Sequence, residues 1–132
     1  MFFKKITYAN RKIISKVNEI LKPFNINATD WRVFYYLSST KSASLSEICE
    51  FYQMDKAIAS RICKKLEKAN YLEISSSNDK REKIISLSLK GKELFFDANI
   101  LISNYEKQIC DDLDYAEFGL FINMLDKINK KL

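Results

Sequence analysis

The chain has no histidine, and its 132 residues include only two glycines and one proline. Without histidine, neither a Ser-His nor a Cys-His nucleophile pair can be built. No glycine-rich phosphate loop is present. Three cysteines (Cys49, Cys63 and Cys110) are an odd number with no C-x-x-C spacing. They make a poor disulfide framework and a poor zinc site, as expected of a reducing cytoplasm. No apolar run approaches the roughly 18–20 residues of a membrane span. The opening "MFFKKITYANRKIISK" interleaves charge with apolar residues, unlike a secretory signal. Scarce glycine and proline also disfavour an all-β fold, which needs many tight turns, and favour helices joined by short polar connections. The expectation is a single mainly α domain with no catalytic residue, metal or cofactor.

What is present is charge, unevenly placed. Residues 1–40 carry 7 basic and 2 acidic side chains, residues 41–92 carry 11 and 7, and residues 93–132 carry 4 and 8. A basic body with an acidic last third suggests a polyanionic partner, nucleic acid before anionic membrane.

Periodicity divides the chain into helices and one hairpin. Ile6, Ile13, Val17 and Ile20 trace a stripe on a first helix from Phe3 to Leu21, which Pro23 ends. Asn27 with Asp30 suits the start of a second helix through "WRVFYYL", apolar nearly all round and so expected in the middle of the domain. Ser44 and Glu47 form a capping-box pattern opening a third helix, Leu45 to about Phe51. Asp55 opens a fourth, Lys56 to about Ala69, with Ile58, Ile62 and Leu66 apolar beside Ala59 and Cys63. Its opposite stripe is small at the start (Ala57, Ser60), where a helix approaches base edges. It then becomes basic (Arg61, Lys64, Lys68), and Arg61, Lys64 and Lys65 stand where phosphates would lie. Two short helices, the second with a basic outward face, form a helix-turn-helix pattern.

Asn70 suits a left-handed helix end. Leu72 and Ile74, then Ile85, Leu87 and Leu89, alternate as two antiparallel strands around the charged segment Asp79-Lys80-Arg81-Glu82-Lys83. Asp79 two positions before Arg81 can orient that guanidinium, and an arginine at a hairpin tip suits a narrow, A·T-rich minor groove. Gly91 closes the hairpin. A long helix follows with two apolar seams (Leu94, Ala98, Leu101, Tyr105 and Phe95, Ile102, Ile109), then "CDDLD" and a last amphipathic helix through Phe118, Phe121, Ile122, Leu125 and Ile128.

D-x-R followed by strand residues and L-[ST]-x-x-G stands here as Asp79-Lys80-Arg81 through Leu87-Ser88-Leu89-Lys90-Gly91. With "DKAIASRICKKLEKANYL" and "DWRVFYYL", the chain resembles the MarR-type winged-helix transcription regulators over nearly its whole length. The departures are Asn70 for the usual Gly and Ser88 for the commoner Thr. The resemblance implies a winged helix-turn-helix lobe (27–91) with a two-stranded β-wing. It also implies a homodimer built from 1–24 and 92–132, and pseudo-palindromic double-stranded DNA as partner. DNA contacts then fall on Ser44, Ser46, Lys56, Ala57, Ser60, Arg61, Lys64 and Lys65, and on Asp79, Lys80, Arg81 and Lys83 of the wing. A small aromatic ligand would lie against Tyr8, Arg11, Trp31 and Tyr35. The competing reading of those four is aromatic core with an incidental arginine. Cys49 and Cys63 read as inert core, and Cys110 as more exposed but dulled by adjacent acids. The rival functions are a winged-helix module that contacts only proteins, a redox-sensing variant of the regulator, and a peripheral membrane protein using its basic first helix.

Overall fold

The computed structural model describes residues 1–76 and 82–132. Asp79, Lys80 and Arg81 lie outside the described residues. The chain divides into two compact units, Met1–Asn99 and Ile100–Leu132.

In the first unit, α1 (Phe2–Leu21) meets a 3₁₀ turn, Lys22–Phe24, that holds Pro23 near its start. Asn25 then turns the chain with a left-handed φ of 61°. α2 (Ala28–Thr40) begins with a complete capping box. Asp30 donates its backbone N–H to Asn27 Oδ1 (2.8 Å), and Asn27 donates its own to Asp30 Oδ2 (3.0 Å). Trp31, Val33, Phe34 and Leu37 turn inward to form the centre of the core. The helix is not buried all round, because Tyr35 is 53% exposed.

At the end of α2, Lys41 adopts φ 69° and ψ −45°, a conformation that a residue with a Cβ adopts only under strain. Lys41→Gly is expected to stabilise the protein by about 0.5–1 kcal/mol, relief of strain outweighing the entropy glycine loses. A lower urea midpoint for this variant would show that the lysine side chain, not its backbone, matters here.

Residues Ser42–Ser44 form a short strand, β1, absent from the sequence expectation. It leads into α3 (Leu45–Tyr52), where Ser44 Oγ accepts the Glu47 N–H at 3.2 Å. The reciprocal half of the expected capping box is missing: Ser44 Oγ bonds the Glu47 carboxylate instead (3.3 Å), while Ser44's backbone belongs to β1. α4 (Lys56–Lys68) is capped by Asp55, which accepts the Ala57 N–H at 2.7 Å. Asn70 ends the turn with φ 67°, the left-handed residue expected there.

β2 (Leu72–Ser76) and β3 (Lys83–Leu87) pair antiparallel, and β1 adds to the other edge of β3. The two-stranded wing, β2 and β3, is thus part of a three-stranded sheet in the order β1-β3-β2. Ala43, Ile85 and Ile74 align across it, and Leu72 pairs with Leu87. Leu89 does not continue the β3 face. It opens α5 (Leu89–Ile109) and is 73% exposed. Gly91 likewise lies inside the first turn of α5 and does not end the hairpin.

Ser88 binds this junction together. Its N–H donates to Tyr71 O (3.0 Å), its hydroxyl donates to Asn70 O (2.6 Å), and the same Oγ accepts the Gly91 N–H (3.0 Å).

In the second unit, the end of α5 is followed by α6 (Tyr115–Asn129), opened by an Asp114/Glu117 capping box. No side chain of α6 is buried, and Leu120, Phe121, Ile122 and Met124 stand exposed.

Candidate nucleic-acid interface

Successive α4 side chains are rotated by about 100°. Ala59, Ile62, Cys63 and Leu66 therefore share one side and are buried. Lys56, Ala57, Ser60, Arg61 and Lys64 share the other, and all but the half-buried Ser60 are exposed. Ile58 was expected with the core, but a four-residue spacing drifts by about 40° a step. The start of that stripe swings outward, leaving Ile58 43% exposed.

Ser46 at the start of α3, Lys56, Ser60 and Lys64 on α4, and Lys83 at the base of the hairpin converge on one cleft of about 350 Å³. Its floor is Cys63, Ile74 and Ile85, and Glu67 and Glu82 also reach it. Three cations and two hydroxyls on three different elements are thus brought together. Among the described residues, Lys56, Arg61, Lys64 and Lys83 form no ion pair, so their charge remains available for a polyanion.

Two residues expected at this surface are placed elsewhere. Ser44 is 2% exposed and its hydroxyl is used by Glu47, so it caps α3 and cannot offer that hydroxyl to a phosphate. Lys65 lies at the border between the outward and buried sides of α4. Its Nζ is bound to the Asp30 carboxylate at 2.6 Å. Sequence periodicity places Lys65 near the basic stripe but carries no sign of this partner, 35 residues away.

The four residues expected to hold a small ligand do not form one cavity. Trp31 is buried and stacks on Phe95 (ring centroids 5.0 Å) and Phe34 (6.3 Å). Tyr35 packs its edge on the same Phe95 at 6.2 Å. Tyr8 and Arg11 lie on the exposed surface of α1, with Lys12 Nζ 4.5 Å from the Tyr8 ring centroid. Phe95 is the residue the sequence reading missed as the centre of this aromatic cluster. A second cluster, Tyr36, Phe51 and Tyr52 with Arg32 over the Tyr52 ring, was also not foreseen. Its members come from two helices, and neither helix alone signals it. Burial, opposed by Arg32, raises the Tyr52 hydroxyl pKa.

Cys63 is core, as expected, and burial, with smaller contributions from Cys49 and Glu67, pushes its thiol up to about 11. It is therefore a neutral thiol at physiological pH, a poor nucleophile. Cys49 is only half-buried, and Cys110 equally so. Among the described residues no group of three or more His, Cys, Asp or Glu side chains is placed to hold a metal ion. No helix among them is long and apolar enough to cross a membrane.

Comparison with known proteins agrees with this architecture. The MarR family model matches residues 24–82. The regulator PrsX of Escherichia coli is 32% identical over 127 residues, covering 94% of this chain and 74% of PrsX. Hpr of Bacillus pumilus is 38% identical over 101 residues, 76% of this chain but only 44% of Hpr. The crystal structure of a MarR/EmrR family regulator from Acinetobacter sp. ADP1 superposes with a TM-score of 0.87 at 32% identity, over 98% of this chain and 92% of that one. A mutant of E. coli MarR complexed with operator DNA shares the fold at 20% identity, with a TM-score of 0.85 over 95% and 91% of the two chains. PrsX, Hpr and the Acinetobacter protein are transcriptional regulators. This chain belongs to the MarR family of transcriptional regulators.

Proposed function

We propose that the protein binds a pseudo-palindromic operator in double-stranded DNA as a homodimer, in the cytoplasm, with α4 in the major groove and the wing in the minor groove. The observation that carries this reading is the outward face of α4. Its exposed cations, unpaired among the described residues, flank small side chains and share a cleft with Lys83 of the hairpin. Lysines and Arg61 supply phosphate affinity, and the small N-terminal end of α4 allows close approach to base edges. A mutant of E. coli MarR with the same fold has been crystallised with operator DNA, which supports duplex DNA as the partner.

The homodimer is supported by apolar surface that each unit leaves open. Phe2, Phe3, Ile6 and Ile13 are exposed on α1, and Leu120, Phe121, Ile122 and Met124 on α6. Soluble proteins rarely leave such stripes uncovered, and a second copy offers the same surfaces in return. Relief by a small aromatic ligand would have to use side chains other than Trp31, whose ring is already stacked on Phe34 and Phe95 of its own chain.

Arg81, with Asp79 as its orienter, is assigned to the wing from the sequence alone. An anisotropy titration on an operator selected from random duplexes tests the assignment. Arg81→Ala is expected to weaken binding about tenfold or more. Unchanged affinity would remove the wing tip from the interface. Phe51, exposed at the edge of its half-buried aromatic cluster, favours a second reading, a module that contacts only proteins. That reading requires no salt-dependent binding to mixed genomic DNA.

A further inference from the structure

Apolar packing holds α4 to the core through Ala59, Ile62, Cys63 and Leu66. Such contacts fix which side of α4 faces the core, and a directional bond at the border of that side fixes its rotation more finely. Among the described residues, one side-chain hydrogen bond joins the body of α4 to another helix: Lys65 Nζ to Asp30 Oδ2 on α2, at 2.6 Å. The two ends of this bond differ. Asp30 is 1% exposed and fixed by the capping box, its Oδ2 also accepting the Asn27 N–H. The Lys65 side chain is 51% exposed.

The connection continues beyond α2. The next amide of the α2 start, Ala28 N–H, donates to Asn18 Oδ1 on α1 at 2.7 Å. A polar chain therefore runs from α1 through the first turn of α2 to α4. It enters α4 one residue from Lys64, on the border of the outward face.

We infer that the Asp30–Lys65 pair is a positioning pair that sets the rotation of α4 about its axis, so that Lys65 governs DNA recognition through geometry rather than through phosphate. The inference rests on the DNA-binding reading above and deepens it. A residue that contacts phosphate contributes equally on all sequences and steepens the salt dependence. A residue that orients the reading face contributes to the right sequence alone.

The test uses the full chain on two probes, an operator selected from random duplexes by the wild-type protein and mixed genomic fragments, each titrated over a range of salt. Lys65→Gln and Asp30→Asn are each expected to weaken operator binding about tenfold, leaving genomic binding and the salt slope nearly unchanged. The double variant should be no worse than the weaker single. Lys64→Gln is the control. It should weaken both probes alike and flatten the salt slope by about one per lysine lost. Asp30→Asn perturbs a helix cap as well as the pair, whereas Lys65→Gln leaves the cap intact and removes only the cation facing the buried Asp30 carboxylate, so its melting temperature is measured alongside.

If Lys65→Gln flattens the salt slope as Lys64→Gln does, Lys65 is a phosphate contact and the inference is wrong. It is equally wrong if the Lys65→Gln melting temperature falls while the ratio of operator to genomic affinity is kept, since the pair is then only structural. A wild-type chain that selects no operator refutes the DNA-binding reading itself, and this inference with it.

Discussion

Gly91→Ala is expected to destabilise the first unit by about 2–4 kcal/mol, enough to remove much of the stability of a domain this size. A Cβ built at Gly91 would lie 2.2 Å from the backbone oxygen of Tyr71 and 3.3 Å from Leu87 Cδ2. The first contact is with main chain, so no rotamer change relieves it. That oxygen also accepts the Ser88 N–H, and separating the strands costs this bond as well. Urea denaturation of the variant would measure the effect. A midpoint close to wild type would mean that α5 can move away from Tyr71 without loss. The φ of Gly91 plays no part, because no glycine here has a positive φ. The position needs the absence of a side chain, not a special backbone.

On the proposed function, Arg61→Ala should cost more than any other single change on the outward face of α4. Arg61 is exposed, is unpaired among the described residues, and presents the planar donor fork suited to guanine or phosphate. Losing an arginine contact costs about 1–3 kcal/mol. A homodimer loses it twice, so operator affinity should fall by roughly 30-fold to 10⁴-fold. Competition between the selected operator and a scrambled duplex separates base reading from phosphate contact: base reading predicts a collapsed preference. An Arg61→Ala protein with wild-type affinity would take the middle of α4 out of the interface.

Local chemistry was legible in the sequence wherever a few neighbouring residues decide the outcome. The caps at Asn27, Ser44, Asp55 and the left-handed Asn70 lie where side-chain type and spacing alone placed them. The signature Leu87-Ser88-Leu89-Lys90-Gly91 was recognisable as a family pattern. Its physical content, a serine binding two backbone segments and a glycine admitting Tyr71, required the fold.

What escaped depends on partners distant in the chain. Ser42–Ser44 is too short to show a period and becomes a strand only because β3 has a free edge. Lys65 lies next to the basic stripe by spacing and belongs to Asp30 by contact. Trp31 and Tyr35 allowed a ligand cleft or an aromatic core, and the core is what forms, but its centre, Phe95, comes from a helix about 60 residues on. Asp79, Lys80 and Arg81 rest on the sequence alone.

The third strand has one more consequence. Because β1 runs directly into α3 while pairing with β3, the hairpin and the helix-turn-helix share a covalent and hydrogen-bonded brace only three residues long. On the proposed function, α4 and the base of the hairpin would then be held like the jaws of a fixed caliper, matching the gap between neighbouring grooves before any base is read. Duplexes whose groove spacing is altered by bending or by stiff A·T tracts would be sorted by shape first.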